Sequence, residues 1–426
     1  MKFRQPIVRD TFIYTVTDAI CKGMSFLLLP LVSFYLVPDE LGIAANFDVL
    51  QFIVSLISGQ AVVNALPYFY YERSKDQFAI LVSNLFFIIV LINIVISIII
   101  FFASGLFEHY LHLGFMLQLL TVVFTIVQLL HSINTVLYRL EDNAKAFSAI
   151  QIAESIIQVL LVLFLVVQLK MGAVGKICSA TGGYLFFSII NLYLLNKRHY
   201  IRFVIDKSAI SELLKFGIPL LPHSLSFWIK SGADKILITT YCGLTANGLY
   251  SMALSFGAIY TMLNNAFMMA FVPYLQKRIN SMTPENEYSE KKKYVKILYT
   301  IGLLFFLLFG VIVAGCWVLM KLVLSSSYDG AFQFIPWIIL SLAIYAFYSL
   351  VIQFPYTVKK TAGIGIITLS GSIVQILITF YLIKVIGIDG VKYSLVIGAL
   401  IIMSGIWWYS NKVYPLPWFS FFKRKK

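Results

Sequence analysis

Long apolar segments follow one another through almost the whole chain, and they restrict the fold more than any other feature. Charged residues or Gly- and Pro-rich stretches separate twelve of them: residues 11–36, 42–70, 78–104, 112–138, 146–169, 174–196, 213–236, 245–275, 297–320, 331–356, 361–384 and 390–410. Each is long enough to cross a bilayer as an α-helix, which takes about 20 residues. The segments are continuous rather than alternating, and a backbone in lipid must satisfy its own hydrogen bonds, so helices are expected instead of a β-barrel.

The scarcity of charge agrees with a membrane protein. Only 12% of the 426 residues are charged and the mean hydropathy is +0.87, whereas soluble proteins are about 25% charged. Twelve spans leave no room for a large extramembrane domain. The cysteines lie in or beside apolar segments without metal-ligand spacing, so neither a metal site nor a cofactor is predicted. They are Cys21, Cys178, Cys242 and Cys316.

The distribution of basic residues predicts the orientation. With the N-terminus inside, the segments on that side carry 25 of the 33 Lys and Arg residues, as the positive-inside rule requires. Both termini are therefore expected in the cytoplasm. The net charge of +14 arises from short clusters between spans, so no nucleic-acid partner is expected. The C-terminal run 423–426, with nearby aromatic residues, is interpreted as an interfacial anchor on anionic lipid.

Polar and glycine matches indicate an internal repeat. Gly42 and Gly248 are each followed 25 residues later by Pro-Tyr, at Pro67 and Pro273. Further glycine and Ser-x-x-Gln matches recur at a similar offset, close to half the chain. Six spans per half insert with the same orientation, and such parallel repeats enclose a central cavity. An all-α membrane protein with two six-helix lobes around that cavity, residues 1–200 and 201–426, is therefore predicted, and this architecture is typical of transporters.

A family resemblance emerges at the start of the second half. The residues concerned are Phe216-Gly217, Pro219, Pro222-His223, Ser231, Asp234-Lys235, Gly243 and Asn247-Gly248. This pattern resembles bacterial polysaccharide flippases of the multidrug/oligosaccharidyl-lipid/polysaccharide exporter superfamily. Pro30 and Leu41-Gly42 are similar in the first half.

The resemblance implies a flippase rather than an enzyme. It implies transport of an undecaprenyl-diphosphate-linked oligosaccharide from the cytoplasmic to the outer leaflet of the bacterial inner membrane, for O-antigen or capsule biosynthesis. The expected partners are this lipid-linked substrate, membrane lipid, and the polymerase and other assembly proteins of the pathway. The peptidoglycan-precursor branch usually carries two additional spans, for which this chain has no room.

Charged residues inside spans are costly and mark candidate sites. Asp18 and Lys22 lie four residues apart on the first span, and Lys230, Asp234 and Lys235 lie toward the outer end of the seventh. All five are predicted to contact the substrate in the cavity. The alternatives are an i,i+4 bridge that lets a helix insert and, for the seventh span, snorkelling or a latch at the outer gate.

Two carboxylates and three prolines complete the predicted site. Asp48 and Glu154 have no obvious local partner and are candidates for coupling to H⁺ or Na⁺, or for structural pairing with a lysine on another span. Pro30, Pro219 and Pro222 are candidate hinges, since proline interrupts helical hydrogen bonding. Tolerated prolines without a hinge role are the alternative.

Two other functions are compatible with the spans. A cation-coupled multidrug exporter of the same superfamily would prefer an acidic, aromatic cavity, whereas these spans carry both signs of charge. A membrane polymerase or ligase of the same pathway typically needs a long outer loop, and every predicted outer connection is short. An ATP-driven pump is excluded within this chain, because no G-x-x-x-x-G-K-[ST] loop occurs.

Overall fold

The computed structural model describes residues 4–202 and 204–419, and over these ranges the regular structure is helical. Side chains are described throughout except at a few positions, among them residues 4–8, Pro222, His223, Lys230 and Ser231. The chain forms two compact units, residues 1–248 and 249–426. The predicted boundary at residue 200 differs from this division by one span.

The first unit contains eight helices and the first part of a ninth. They are α1 Arg4–Tyr35, α2 Pro38–Ser55, α3 Ala61–Glu72, α4 Lys75–Leu111, α5 Phe115–Leu140, α6 Ala144–Val162, α7 Gly172–Lys197, α8 Lys207–Gly217 and α9 Leu221–Asn280. Helix α5 packs against α2, α4 and α7, and α6 packs against α1 and α7. Buried apolar side chains of α3, α4 and α5 form a core cluster, together with Leu195, Tyr200 and Leu213.

The second unit contains the rest of α9 and five further helices. They are α10 Glu287–Val323, α11 Ile335–Val351, α12 Gln353–Thr357, α13 Ala362–Ile386 and α14 Asp389–Val413. Helix α14 packs against α11 and α13, and α10 packs against α11. The buried Tyr260 hydroxyl donates to the carbonyl of Phe305 at 2.9 Å, so this polar group is satisfied inside the apolar core.

The predicted number of spans is confirmed once a break in α9 is taken into account. In the described ranges, eleven helices are long and apolar enough to cross a membrane, and one of them, Gly232–Ile279, has 48 residues. That is more than twice the length needed for one span. At Gly243 the backbone leaves helical geometry, with φ 88° and ψ 172°, a region that glycine enters readily. One span on each side of Gly243 brings the number in the described ranges to twelve.

Two more breaks interrupt predicted spans of the first unit. Between α2 and α3 the chain makes a π-helical turn, Leu56–Gln60, in which Gly59 has φ 122°. The predicted seventh span is also divided, because the 3-10 turn Ile218–Leu220 separates α8 from α9. By contrast, α1 stays helical through Pro30.

Close backbone contact joins the N-terminal end of α2 to residues 244–248 of α9. A Cβ atom added to Gly248 would collide with the backbone carbonyl of Pro38, and one added to Gly42 would collide with the carbonyl of Leu244. Backbone atoms cannot move aside as a flexible side chain can. Glycine is therefore required at both positions for this packing.

Gly248→Ala is expected to destabilise the protein by about 2 kcal/mol, the usual cost of overpacking a tight contact. Chemical denaturation in detergent measures the effect. Gly105→Ala in α4 is the control, since a Cβ there meets no atom within 4 Å. Equal stability of the two variants would contradict the importance of this contact.

Candidate functional site

The charged pair on α1 faces away from the core. Lys22 Nζ donates to Asp18 Oδ2 at 2.6 Å, and the two side chains are 57% and 63% exposed. The opposite face of α1 packs on α6, where Thr17 Oγ1 donates to Ser148 Oγ at 2.6 Å. Charge in the middle of a span is costly in hydrocarbon and is normally hydrated or paired. This pair is close enough to satisfy itself, and its exposure leaves both groups accessible to a ligand.

A second group of charges lies on three helices of the first unit. Asp48 on α2 is exposed and interacts electrostatically with Lys176 of α7 and Lys235 of α9. The two lysine side chains are partly exposed. Asp48 and Lys235, predicted for ion coupling and for substrate binding respectively, therefore belong to one cluster. We call Asp48, Lys176 and Lys235 the lysine–aspartate cluster.

The sequence analysis did not select Lys176 as a candidate site residue. It is one of the eight basic residues outside the segments predicted to be cytoplasmic. It lies four residues into α7, near a predicted outer connection, where a lysine can snorkel to the interface. The packing of α7 against α2 brings it to Asp48. No local spacing indicates a contact between residues 128 positions apart.

Hydrogen bonds between α2 and α9 fix the position of this cluster. Asn46 Oδ1 accepts from Thr239 Oγ1 at 3.1 Å and from Asn247 Nδ2 at 2.8 Å. One helical turn further along α2, the carbonyl of Val49 accepts from Trp228 Nε1 at 3.2 Å, and Trp228 lies eleven residues before Thr239 on α9. Asp48 lies on α2 between these contacts, and Lys235 lies on α9 between them. The contacts therefore fix the backbone of each helix on both sides of the charged residue. Asp234, beside Lys235, is 3% exposed and therefore points into the protein instead of into an open cavity.

Glu154 occupies a separate, buried position. It is 5% exposed and accepts a hydrogen bond from Gln158 Nε2 one turn along α6. Tyr184 of α7 lies nearby. No Lys or Arg forms a salt bridge with Glu154 among the described side chains, so the predicted alternative of a lysine partner finds no support there.

A hydrogen-bonded row of polar side chains begins near Glu154 and runs between α5, α6 and α7. Gln151 Oε1 lies 2.8 Å from His131 Nε2, and His131 Nδ1 lies 3.2 Å from Asn191 Nδ2. Asn191 Oδ1 in turn accepts from Asn134 Nδ2 at 2.6 Å. The sequence contained a signal for this row, since polar residues in apolar spans are costly unless paired. It did not show which residues are partners.

The row ends at a charged group beside the predicted cytoplasmic ends of α5 and α7. Arg198 donates to Asn134 and to Glu141 Oε2, the latter at 2.8 Å, and Tyr200 donates to Glu141 Oε1 at 2.7 Å. Burial and the hydrogen bond to Glu141 raise the pKa of the Tyr200 hydroxyl, so it remains the proton donor. Arg198 also lies 4.0 Å from the centre of the Tyr138 ring. These contacts indicate a structural role.

The remaining predicted residues are less informative. The side chains of Lys230 and Pro222 lie outside the described part of the structure. Pro219 is in the 3-10 turn between α8 and α9, where a missing amide hydrogen is easily tolerated. In the described ranges, no three His, Cys, Asp or Glu residues come together in a way that could hold a metal ion.

Comparison with known proteins identifies the family. The family model for "Polysaccharide biosynthesis protein" matches residues 7–278, well over half of the chain. The Lsg locus protein 1 of Haemophilus influenzae is 22% identical over 428 residues, which covers 96% of this chain and 98% of that protein.

Solved structures of transporters share the fold. An inward-facing multidrug resistance MATE family transporter of the MOP superfamily superposes with a TM-score of 0.71 at 14% identity, over 92% of this chain and 93% of that one. The lipid II flippase MurJ, in an inward closed conformation, gives a TM-score of 0.71 at 18% identity, over 94% of this chain and 87% of that one. The protein is therefore a multi-pass membrane protein with the fold of MOP-superfamily transporters, and it belongs to the polysaccharide biosynthesis protein family.

Proposed function

We propose that the protein is a flippase for a polyprenyl-diphosphate-linked oligosaccharide. It carries the sugar–diphosphate head from the cytoplasmic to the outer leaflet of the bacterial inner membrane, with both termini in the cytoplasm and without chemical conversion of the substrate. The product feeds O-antigen or capsule assembly, through the polymerase of that pathway. Alternating exposure of the site to the two sides, with the tail remaining in lipid, accounts for net movement.

The lysine–aspartate cluster is the observation that carries this proposal. Two lysines interact electrostatically with a single carboxylate, so with both lysines protonated the cluster carries one excess positive charge in a membrane-spanning unit. Such a charge is costly without a counter-ion, and a diphosphate group supplies one. An organic cation would be repelled. The cluster therefore favours an anionic substrate over the cations expected of a multidrug exporter.

Asp18 and Lys22 extend the proposed polar path. Their exposure on α1 lets Lys22 exchange its bond with Asp18 for one with a phosphate or sugar oxygen. Both side chains are more than half exposed, so opening the pair does not leave Asp18 buried. The same residues can therefore receive a polar head and release it.

Cation coupling remains the second candidate function, and Glu154 favours it. Its buried carboxylate accepts a hydrogen bond from a glutamine and has no cationic partner among the described side chains. Such a carboxylate is suited to binding H⁺ or Na⁺. In a flippase such coupling would drive transport, whereas in a multidrug exporter it would drive cation efflux. The nature of the transported molecule therefore has to be measured directly.

Reconstitution in liposomes tests the proposal. Liposomes that contain a fluorescent polyprenyl-diphosphate oligosaccharide are expected to show protein-dependent exposure of the label in the opposite leaflet. Lys22→Ala should slow this exposure about tenfold, the effect of losing roughly 1.4 kcal/mol of charge-assisted contact. Organic-cation efflux is measured in parallel.

Lys321→Ala is the matched control for Lys22→Ala. Lys321 forms an ion pair of similar exposure with Asp329, but it lies in the last turn of α10, just beyond the predicted ninth span 297–320. Its removal should leave the rate unchanged. Normal activity of Lys22→Ala would exclude Lys22 from the site, and cation efflux without lipid exposure would replace the flippase by the multidrug exporter.

A further inference from the structure

An apolar cleft in the first unit lies beside the break between α2 and α3. It has a volume of about 250 Å³. One side is lined by the π-helical turn and the start of α3, and the second side by α4. The third side is lined by the end of α8 with the first residue of α9. Its deep walls include the buried Val62, Leu85 and Leu213. All lining residues are apolar or glycine. The cleft thus offers no partner to a polar ligand.

The cleft opens at the protein surface. Ile57 and Ile218 belong to its lining and are 45% and 58% exposed. The residues of α4 that line it begin at Leu85, ten residues after the start of that helix at Lys75, which corresponds to about 15 Å along the axis. The cleft therefore begins well inside the apolar part of α4, and exposed apolar side chains border its opening.

A break in the helix makes room for the cleft. The backbone at Gly59 is not helical, and such backbone is tolerated inside a membrane only where the surrounding protein satisfies it. Ser58 Oγ donates to the carbonyl of Val54 at 2.7 Å, and Asn93 Nδ2 donates to Ser58 Oγ at 3.0 Å. The break is thus stabilised by specific polar contacts. Packing against bulk lipid requires no such arrangement, and π-helical turns often occur at functional sites.

Charged side chains lie at one end of the cleft. Glu212 immediately precedes the lining residues Leu213 and Leu214, and it pairs with Arg73 at the end of α3. Lys215 follows Leu214 and is exposed, and no salt bridge is formed by it within the described ranges. Arg73 and Lys215 therefore lie on the side of the cleft predicted to be cytoplasmic, and Lys215 directly follows the lining residue Leu214.

We propose that this cleft binds a segment of the substrate's polyprenyl tail close to its diphosphate group. The inference rests on the proposed flippase function and adds a subsite to it. The volume is below the 300–1,000 Å³ of a pocket for a whole small molecule, so it accepts only part of a chain, while the rest stays in the bilayer. The anionic head then lies near Lys215.

Filling the mouth of the cleft tests the subsite. Ile57→Trp and Ile218→Trp occupy the opening with side chains that already tolerate exposure, so folding is preserved. Each is expected to raise the substrate concentration for half-maximal flipping about tenfold, the effect of excluding one buried apolar segment. Ile94→Trp is the matched control, because Ile94 lies on α4, is 53% exposed and does not line the cleft.

Photolabelling identifies the occupant independently of transport. Wild-type protein in liposomes is labelled with a polyprenyl-diphosphate oligosaccharide that carries a diazirine in its first isoprene units, and separately with a diazirine phospholipid. The subsite is supported if the polyprenyl probe labels the peptides around Ile57 and Ile218. This labelling should be competed by unlabelled polyprenyl diphosphate and should be lost in Ile57→Trp. Equal labelling by the phospholipid would show an ordinary lipid contact and overturn it.

The two experiments separate the subsite from the flippase. If wild-type protein flips the substrate while Ile57→Trp and Ile218→Trp behave like Ile94→Trp, the cleft has no part in transport and the flippase proposal stands. If specific labelling occurs without any flipping, the flippase proposal fails while tail binding is retained. Labelling at other peptides alone overturns the subsite.

Discussion

Replacing Lys176 and Lys235 together by glutamine is expected to lower the rate of lipid-linked oligosaccharide flipping about a hundredfold. Each lysine loses a charge-assisted contact worth about 1.5 kcal/mol, and 1.4 kcal/mol corresponds to a factor of ten. The two single variants should each show about a tenfold loss. The liposome exposure assay with the fluorescent polyprenyl-diphosphate oligosaccharide measures all three rates.

A loss of folding must be distinguished from a loss of substrate contact. The double variant leaves Asp48 without its cationic neighbours, so the triple variant that adds Asp48→Asn restores electrical neutrality within the unit. It should express and unfold like the wild type yet remain inactive. Lys170→Gln is the matched control, since Lys170 is exposed at the predicted outer connection between α6 and α7 and lies outside the cluster. A triple variant that flips at the normal rate would refute the diphosphate site.

Arg198→Ala is expected to destabilise the protein by about 3 kcal/mol, the cost of leaving a largely buried ion pair without one partner. Arg198 and Glu141 are only 17% and 24% exposed. The substitution also removes the donor to Asn134 and the cation above the Tyr138 ring. Guanidinium chloride titration in detergent, followed by tryptophan fluorescence, measures the change.

Arg202→Ala is the control for Arg198→Ala. Arg202 pairs with Asp76, but these side chains are 46% and 72% exposed, and an exposed pair contributes less than about 1 kcal/mol. Arg198→Lys should be intermediate, since lysine retains the charge but cannot serve Glu141 and Asn134 together in the same plane. If both alanine variants are equally stable, the buried row is not the stabilising contact that its geometry indicates.

Hydropathy predicted the spans well because the cost of placing each residue in hydrocarbon is local. All twelve predicted segments have counterparts in the described ranges, with ends that differ by up to ten residues. The breaks were harder to predict. At Gly59 and Gly243 the glycine was visible, but many glycines in this chain lie within regular helix. Whether one breaks the helix depends on contacts such as the Ser58–Asn93 hydrogen bond, which joins the π-helical turn to α4.

The candidate site was predicted in part for a related reason. Asp18 and Lys22 lie four residues apart on one helix, so their pairing could be predicted from the sequence. The structure contains that pair. The lysine–aspartate cluster depends on how α2, α7 and α9 pack, which the sequence does not show. Glu154 could be selected from the sequence as a charged residue inside a span, and it lies buried, while the hydrogen-bonded row near it could not be predicted.

The length of α4 has a consequence for the membrane around the protein. Its uncharged stretch between Asp76 and Glu108 runs for about 46 Å at the rise of an α-helix, whereas a hydrocarbon core is about 30 Å thick. Exposed apolar side chains cover much of it, including Phe101 and Phe102. The helix must therefore tilt or thicken the adjacent bilayer. Hydrophobic mismatch thus makes acyl-chain length a variable that acts on this protein directly, independently of any substrate.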